Sequence, residues 1–517
     1  MGSKSHAVDP FSTLPATVIA PDLNSSASAS EVLPPPECPT SAMARRFVVV
    51  KLGMVRSCLL LDFIIGQILA NANFSCNGDS RNQFLNYDAA MTKNNPSALN
   101  PGVAKREVFA WAMYDFANSG YTTVVLTAVF NAYFVSVIAG KAEWATFAWT
   151  ATLAISYIAV MIAGPIVGAY ADAHAAKKRV LFIATIGCVA STAALYYAGP
   201  GMLVWAMVFI IISNFCYAIG ENITAAFLPE LARPESLGKV SGWGWSWGYV
   251  GGLVALGACL AWITTAGTRG QTTSQAVPMT ALITAAIYLA GASVTFLWLK
   301  ERAKPAPADD VATNTFARLM TTAREATKFR DLVYVFLCGT FYQAGVATVI
   351  TLAAIYAQEV MGFTTTDTLV LVLVVNVTAC IGALLFGYVQ DAIGKKRALA
   401  ITLIGWLLMI VFAWLATTPA LFWVAANLAG VCMGSSQSAG RALVAYFSPV
   451  DRAAEFFGLW GVATRLSAVL GPLTYGAVSW ISGGNHRLAM LITGVFFVAA
   501  LIVLLKVDEQ RGRAVVA

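Results

Sequence analysis

The sequence predicts an all-α integral membrane protein with twelve transmembrane helices in two six-helix halves, and three observations support this fold class. Of the 517 residues, 58% are hydrophobic and 11% are charged, whereas a soluble globular protein has about 45–50% and about 25%. Apolar runs of the length that a bilayer requires, about 17–25 residues, follow one another from Phe109 onward. The Lys and Arg residues, which give the chain a net charge of +7, lie mainly between these runs.

The apolar runs are predicted to be helices rather than strands. In hydrocarbon every backbone polar group needs a partner within the protein, and barrel strands would be shorter and would alternate in polarity. The twelve runs cover residues 109–139, 145–170, 180–198, 203–227, 240–264, 277–299, 332–357, 369–389, 398–416, 421–446, 456–480 and 488–505.

The basic residues predict the orientation of the bundle. They are concentrated in alternate connections, such as 172–179 and 391–397, whereas the connections on the other side carry only Lys141, Arg269 and Arg487. By the positive-inside rule, the first side is cytoplasmic. Both ends of the bundle are therefore expected in the cytoplasm.

A long polar connection between the sixth and seventh runs divides the chain. We expect an N-terminal extension at 1–105, six-helix halves at 106–300 and 332–506, a cytoplasmic linker at 301–331 and a cytoplasmic tail at 507–517. Two parallel six-helix repeats are a common architecture of secondary transporters.

The extension has two parts of different composition. Residues 1–41 are rich in Ser, Pro and Ala, which is typical of disorder. The apolar segment near 43–74 fits a leader peptide, an interfacial helix or a chance apolar stretch, and the sequence leaves these open. Met91 would be an adequate natural start.

A short motif recurs at the exit of the second helix of each half, which supports the division. Its residues are Gly168, Asp172, Lys177 and Lys178 in the first copy and Gly387, Asp391, Gly394, Lys395 and Lys396 in the second. Glycine permits close helix contact, and aspartate can interact with the positive N-terminal end of a neighbouring helix. We predict that the two copies form a cytoplasmic gate, with the lysines facing the cytoplasm.

Polar side chains within the apolar runs are the candidates for a substrate or ion pathway. An ionisable group there costs about 2.5–3.5 kcal/mol on insertion scales, so it needs a partner or a watery cavity. The candidates are Asp115, Asn118 and Thr122 on one stripe of the first helix, with Glu221, Asn222, Gln437, Arg441 and Arg465 in the fourth, tenth and eleventh helices. Acids of the first half can then meet arginines of the second half across a central cleft.

Each candidate also has a structural interpretation. Asp115 can cap or anchor its helix near the cytoplasmic end, and Arg441 can extend its side chain to the interface. Arg465 lies deeper in its helix and reaches the interface less easily. We favour Asp115 as the acid that couples transport to protons, because it shares a stripe with Asn118 and Thr122.

The sequence offers little material for metal, cofactor or nucleic-acid chemistry. The nine cysteines form no CxxC pair, and the three histidines cannot converge on one helix face. No GxxxxGK[ST] loop is present, which argues against an ATP-driven pump. We therefore expect no metal site, no cofactor and no nucleic-acid partner.

The motif resembles the loop motif of the major facilitator superfamily. The second copy is complete, whereas the first has Ala173 and Ala175 where the family usually has a basic residue and a glycine. Within the superfamily, the chain resembles the UMF1 or Atg22-like branch. The similar segments are 111–119, 454–460, 470–473 and 507–513.

The resemblance implies a facilitator that moves a small solute by alternating access, with the lipid bilayer and protons as its other partners. Fungal relatives of the branch are associated with amino-acid efflux from the vacuole. We expect a functional monomer in a bacterial inner membrane, or in a vacuolar membrane if the chain is fungal. The alternatives are a transporter-like sensor without flux and a membrane-embedded enzyme, which would need clustered catalytic groups.

Overall fold

The structure is a computed structural model, and it describes residues 97–140, 142–303, 305 and 328–516. Most of the predicted N-terminal extension, including its apolar segment, lies outside the described residues. Most of the predicted linker also lies outside them.

The described residues contain twelve helices that are long and apolar enough to cross a membrane, which confirms the prediction. In chain order, α1 to α12 are Lys105–Ile138, Ala145–Ala173, Lys177–Tyr197, Leu203–Leu231, Pro234–Thr268, Thr273–Trp298, Arg330–Met361, Val370–Ile393, Lys395–Leu415, Pro419–Phe447, Val450–Ile481 and His486–Leu505. A short helix, α13, follows at Glu509–Ala514. Several helices begin before the predicted apolar runs, because their first turns carry polar residues.

The helices pack as two bundles of six. In the first half α1 packs against α5 and α6, and in the second half α7 packs against α11 and α12. The halves meet mainly through two helix pairs, α2 with α11 and α5 with α8. In the first pair, the second helix of the first half meets the fifth helix of the second half, and in the other pair these roles are exchanged. The interface therefore has approximate two-fold symmetry.

The first helix changes its winding near the middle. After an α-helical part at Lys105–Tyr121, residues Thr122–Ala128 and Phe134–Ile138 are π-helical. The Thr127 hydroxyl donates a 2.7 Å hydrogen bond to the Thr122 carbonyl within the widened turn. Because a π turn is wider than an α turn, the helical stripe that begins at Asp115 does not continue in simple register beyond Tyr121.

Candidate functional site

The second copy of the motif joins the two halves directly. Asp391 at the end of α8 accepts hydrogen bonds from the backbone N–H groups of Gly238 at 3.0 Å and Lys239 at 2.8 Å. These N–H groups belong to the first turn of the α-helical part of α5, Leu237–Thr268. A carboxylate of the second half therefore caps a helix of the first half, where the helix dipole favours negative charge.

The first copy makes the equivalent contact in the opposite direction. Asp172 at the end of α2 accepts a 2.8 Å hydrogen bond from the N–H of Glu455, in the first turn of the α-helical part Ala453–Ile481 of α11. Gly168 lies so close to the backbone of Ala454 that a Cβ atom would overlap its carbonyl oxygen. Absence of a side chain at position 168 thus permits the helix contact.

These contacts define the basic end of the bundle, the end at which α3 and α9 begin; we call the opposite end the far end. Further inter-half hydrogen bonds run from the basic end towards the middle of the helices. Ser241 donates to the Ser438 carbonyl at 2.9 Å, and Ser246 donates to the Cys380 carbonyl at 2.9 Å. In the described parts of the chain, the conformation is therefore closed at the basic end.

The lysines of the motif stay within their own halves. Lys177 is fully buried, with its Nζ 3.2 Å from Asp172 and 2.9 Å from Glu230. Lys395 is also buried, with its Nζ 3.8 Å from Asp391. The prediction that these two lysines face the cytoplasm is therefore wrong, because nearby carboxylates draw the side chains inward.

The next lysine of each copy ties a helix end to its own half. Lys178 donates through Nζ to the Leu299 carbonyl at 2.7 Å, and Lys396 donates to the Val507 carbonyl at 2.6 Å. Gly394 before the second pair of lysines has a φ of 96°. Each copy thus fixes the junction between the second, third and sixth helices of its half.

An ion pair between α1 and α10 crosses the middle of the interface. Arg441 Nη1 donates to Asp115 Oδ2 at 2.7 Å. The same guanidinium donates to the hydroxyl of Ser241 at 3.1 Å and to the carbonyl of Ser241 at 2.8 Å. It also lies over the rings of Trp111 and Trp245, with Cζ 4.6 and 5.3 Å from the ring centroids.

A second ion pair crosses the interface between α4 and α11. Arg465 Nη2 donates to Glu221 Oε2 at 2.8 Å. The guanidinium lies near the rings of Tyr157 and Tyr217, with Cζ 5.6 and 5.8 Å from their centroids. The side chain of Glu221 is 34% exposed, whereas that of Asp115 is 13% exposed.

The other candidates of the first helix lie apart from the ion pairs. Asn118 is buried in the first half, where its Oδ1 accepts a 2.5 Å hydrogen bond from the hydroxyl of Tyr288. Thr122 donates to the Ser119 carbonyl at 3.1 Å. The structure therefore gives these two side chains partners within the first half.

The remaining candidates lie on α4 and α10. Gln437 and Gln343 of α7 exchange two amide hydrogen bonds, of 2.7 and 3.3 Å. Asn222 is buried against Gly461 of α11. Gln343 is therefore a direct hydrogen-bond partner of the candidate residue Gln437.

Sequence reasoning did not select several neighbours of the ion pairs as site residues. Ser241, Tyr157 and Tyr217 are common residue types in membrane helices, and nothing in their spacing distinguishes them. Gln343 carries the clearest signal, since it is a strongly polar residue in the middle of an apolar run.

Other features of the described residues lie outside this arrangement. A cavity of about 470 Å³ near the far end is lined by residues that include Leu352, Tyr475 and His486. It contains none of the predicted site residues. No group of three or more His, Cys, Asp or Glu residues in the described ranges could hold a metal ion.

The fold and the paired gate motifs define a membrane transporter of the major facilitator superfamily. The structure of the proton:xylose symporter XylE shares the fold, with a TM-score of 0.62 at 17% identity over 79% of this chain and 96% of that one. The chain belongs to the Atg22-like family, since the family described as "vacuole effluxer Atg22 like" matches residues 132–516.

Two relatives span different shares of the chain. YxiO of Bacillus subtilis, described as an uncharacterized MFS-type transporter, is 26% identical over 408 residues, which are 78% of this chain and 95% of that protein. Autophagy-related protein 22 of Yarrowia lipolytica is 25% identical over 341 residues, which are 58% of this chain and 56% of that protein. The protein is therefore a multi-pass membrane protein whose family has bacterial and fungal members.

Proposed function

We propose that the protein is a secondary active transporter that moves a small solute by alternating access. The observation that carries this proposal is the set of contacts between the halves at the basic end, where Asp172 and Asp391 cap helices of the opposite half. These contacts must break for a central site to open towards the basic end. A repeat architecture with such a breakable seal suits rocking of one half against the other.

We further propose that protons drive this transport through an intramembrane carboxylate. Protonation removes the negative charge that holds an arginine of the other half, so it weakens a contact that the rocking motion must break. Asp115 and Glu221 are the candidate acids, each paired with such an arginine. The greater exposure of Glu221 favours it for proton exchange with water, although its neighbours in sequence are less distinctive than those of Asp115.

The proposed location is the inner membrane of a bacterium, with the basic end in the cytoplasm. It is supported by the basic connections and by YxiO, a bacterial relative that the chain matches over 95% of its length. A fungal chain would instead occupy the vacuolar membrane. We propose that one chain is the functional unit, because both ion pairs form within it.

Flux into proteoliposomes tests the function. A solute is first identified by thermal shift of the purified protein, since a ligand of the folded state raises its stability by RT ln(1 + [L]/Kd). We expect uptake of that solute to rise when a pH gradient is imposed. Binding without flux under any gradient would instead indicate a sensor.

Substitutions of the two acids test the coupling. We expect Glu221→Gln to abolish proton-driven accumulation while solute exchange across the membrane stays measurable. Asp115→Asn is the matched comparison, and loss of accumulation in this variant alone would return the coupling role to Asp115. Unchanged pH dependence in both variants would rule out proton coupling through either acid.

A further inference from the structure

The two arginines differ in how many of their hydrogen-bond donors have acceptors. Arg441 donates from Nε, Nη1 and Nη2 to Ser241 and Asp115. Arg465 donates from Nη2 to Glu221, but its Nε is enclosed and has no partner. Every nitrogen of the first guanidinium therefore has an acceptor in the protein, whereas Nε of the second has none.

Asn222, next to Glu221 on α4, has a second unpartnered donor. Its Nδ2 atom is buried without a hydrogen-bond partner, and its side chain contacts Gly461, one helical turn before Arg465 on α11. An unsatisfied buried donor costs about 1–3 kcal/mol. The contact between α4 and α11, which belong to opposite halves, thus contains two donors that lack acceptors.

We propose that the transported solute carries a carboxylate, which binds Arg465 through Nε and Nη2 and displaces Glu221. This inference rests on the proposed function and adds the chemical class of the solute. The planar guanidinium matches a carboxylate in a bidentate pair. The rings of Tyr157 and Tyr217 lie near the guanidinium, and Asn222 offers a further donor.

Displacement of Glu221 couples binding of the solute to uptake of a proton. The titratable groups that face Glu221 are Arg465 of α11, Tyr157 of α2, Tyr217 of its own helix and Asp115 of α1. When the solute occupies Arg465, the carboxylate of Glu221 loses its cation. It then takes a proton from a hydronium ion, which becomes water: an O–H bond forms on Glu221 as the ion pair breaks, and the site, with the bound carboxylate, stays neutral.

One proton and one carboxylate consequently enter together. Arg441 stays paired with Asp115, so it provides no replacement cation for the displaced Glu221. On release, the solute leaves Arg465, Glu221 returns its proton to water, and the ion pair forms again. Transport of a monovalent carboxylate by this cycle carries no net charge.

Calorimetric binding to the full-length protein in detergent tests the inference without requiring flux. The probes are lactate and succinate, with alanine as a carboxylate that also carries an ammonium group and lactamide as the neutral analogue of lactate. We expect at least one carboxylate to bind and lactamide not to bind. Because one proton is taken up with each carboxylate, the Kd should rise about tenfold per pH unit wherever this uptake is complete.

Variants locate the binding. Arg465→Lys keeps the charge but loses the bidentate edge, so we expect at least tenfold weaker binding. Glu221→Gln imitates the protonated acid, so we expect binding that no longer depends on pH. Arg269→Gln, at an exposed arginine of the far end, is the matched control and should bind like the wild type.

The outcomes distinguish an organic acid from an amino acid as the solute. They also distinguish failure of this inference from failure of the proposed function. Binding of lactate or succinate identifies an organic acid, and binding of alanine alone identifies an amino acid as the solute. The inference is overturned if no carboxylate binds, if lactamide binds as well as lactate, or if binding to the wild type does not depend on pH. These three results come from the wild type, so they hold even if a variant fails to fold. None of these results decides whether the protein transports, which the flux measurement tests separately.

Discussion

The two copies of the gate motif close the same end of the bundle with different chemistry. In the first half, Lys177 is enclosed between the carboxylates of Asp172 and Glu230, at 3.2 and 2.9 Å. In the second half, Lys395 lies 3.8 Å from Asp391, and its Nζ is 4.8 Å from the ring centroid of Tyr446. Yet the aspartate of each copy caps a helix of the opposite half. The repeat has kept the contact between aspartate and helix end, while the surroundings of the lysine have diverged.

The shared framework extends beyond the motif. Glu301, after α6, accepts hydrogen bonds from the N–H groups of Lys177 at 2.6 Å and Lys178 at 3.0 Å. Glu509, after α12, accepts one from the N–H of Lys396 at 2.9 Å. Each half therefore uses a glutamate beyond its sixth helix to cap its third helix.

An arginine one or two residues after each glutamate completes the comparison. Arg302 pairs with Glu107 of α1 at 2.8 Å, and Arg511 pairs with Asp331 of α7 at 2.6 Å. The end of each sixth helix is thus tied to both the first and the third helix of its half. These ties make each half rigid at the basic end, so the motion between states is expected at the interface.

The largest predicted difference concerns the two buried lysines. Lys177→Met leaves two carboxylates buried without a cation, so we expect a loss of about 3–5 kcal/mol in the free energy of unfolding. Lys395→Met removes one cation from a carboxylate that keeps its backbone hydrogen bonds, so we expect about 1 kcal/mol. Melting temperatures of the two variants in detergent measure the difference. Equal losses would mean that the second carboxylate around Lys177 has no effect on stability.

The second difference concerns closure of the basic end. Gly168→Ala places a methyl group into the Ala454 carbonyl, whereas the nearest atom to a Cβ at Gly387 is 3.0 Å away. Overpacking of this kind costs about 1–3 kcal/mol, and here it falls on the closed state. We expect Gly168→Ala to separate the halves more often than Gly387→Ala.

Spin labels at positions 179 and 397, two exposed sites near the beginnings of α3 and α9, measure this separation in a variant without native cysteines. The expected result is a larger long-distance population in Gly168→Ala than in Gly387→Ala. The same distance distribution in both variants would show that the two close approaches contribute equally to closure.

The overall architecture could be predicted because it follows from short-range patterns. The twelve helices follow from the length of each apolar run, and the division into halves follows from the repeated motif. The sequence also shows that the candidate acids lie in the first half and the candidate arginines in the second half. It could not decide which acid meets which arginine, because that depends on helix tilt and on the register between halves.

The burial of Lys177 shows a second limit of sequence reasoning. Its basic cluster indicates a cytoplasmic loop, but Glu230, which draws its side chain inward, lies 53 residues away in the chain. The widened turn of α1 likewise gives no signal in the sequence that we could identify. A contact between distant segments decides the position of the Lys177 side chain.

The third difference concerns the backbone between the second and third helices. Ala175 has a φ of 49° where the second copy has Gly394, with a φ of 96°. A left-handed conformation costs a residue with a Cβ about 1–2 kcal/mol. We expect Ala175→Gly to stabilise the protein by about 1 kcal/mol and Gly394→Ala to destabilise it by about 1–3 kcal/mol. Thermal unfolding measures both changes, and a lower melting temperature for Ala175→Gly would contradict this account.

The smallest predicted difference concerns the glutamate caps. Burial raises the pKa of Glu301 above its ordinary value, although the N–H groups of Lys178 and Lys177 oppose the shift. A carboxyl group whose pKa is raised by folding binds more protons in the folded state, so its contribution to stability falls as the pH rises from the unfolded pKa through the folded pKa. We therefore expect the melting temperature of the wild type, relative to Glu301→Gln, to fall slightly over this acidic window. Glu509→Gln, which changes the equivalent cap, is the matched control for loss of a charged cap. A constant difference between the wild type and Glu301→Gln across the window would show that the buried cap does not titrate there.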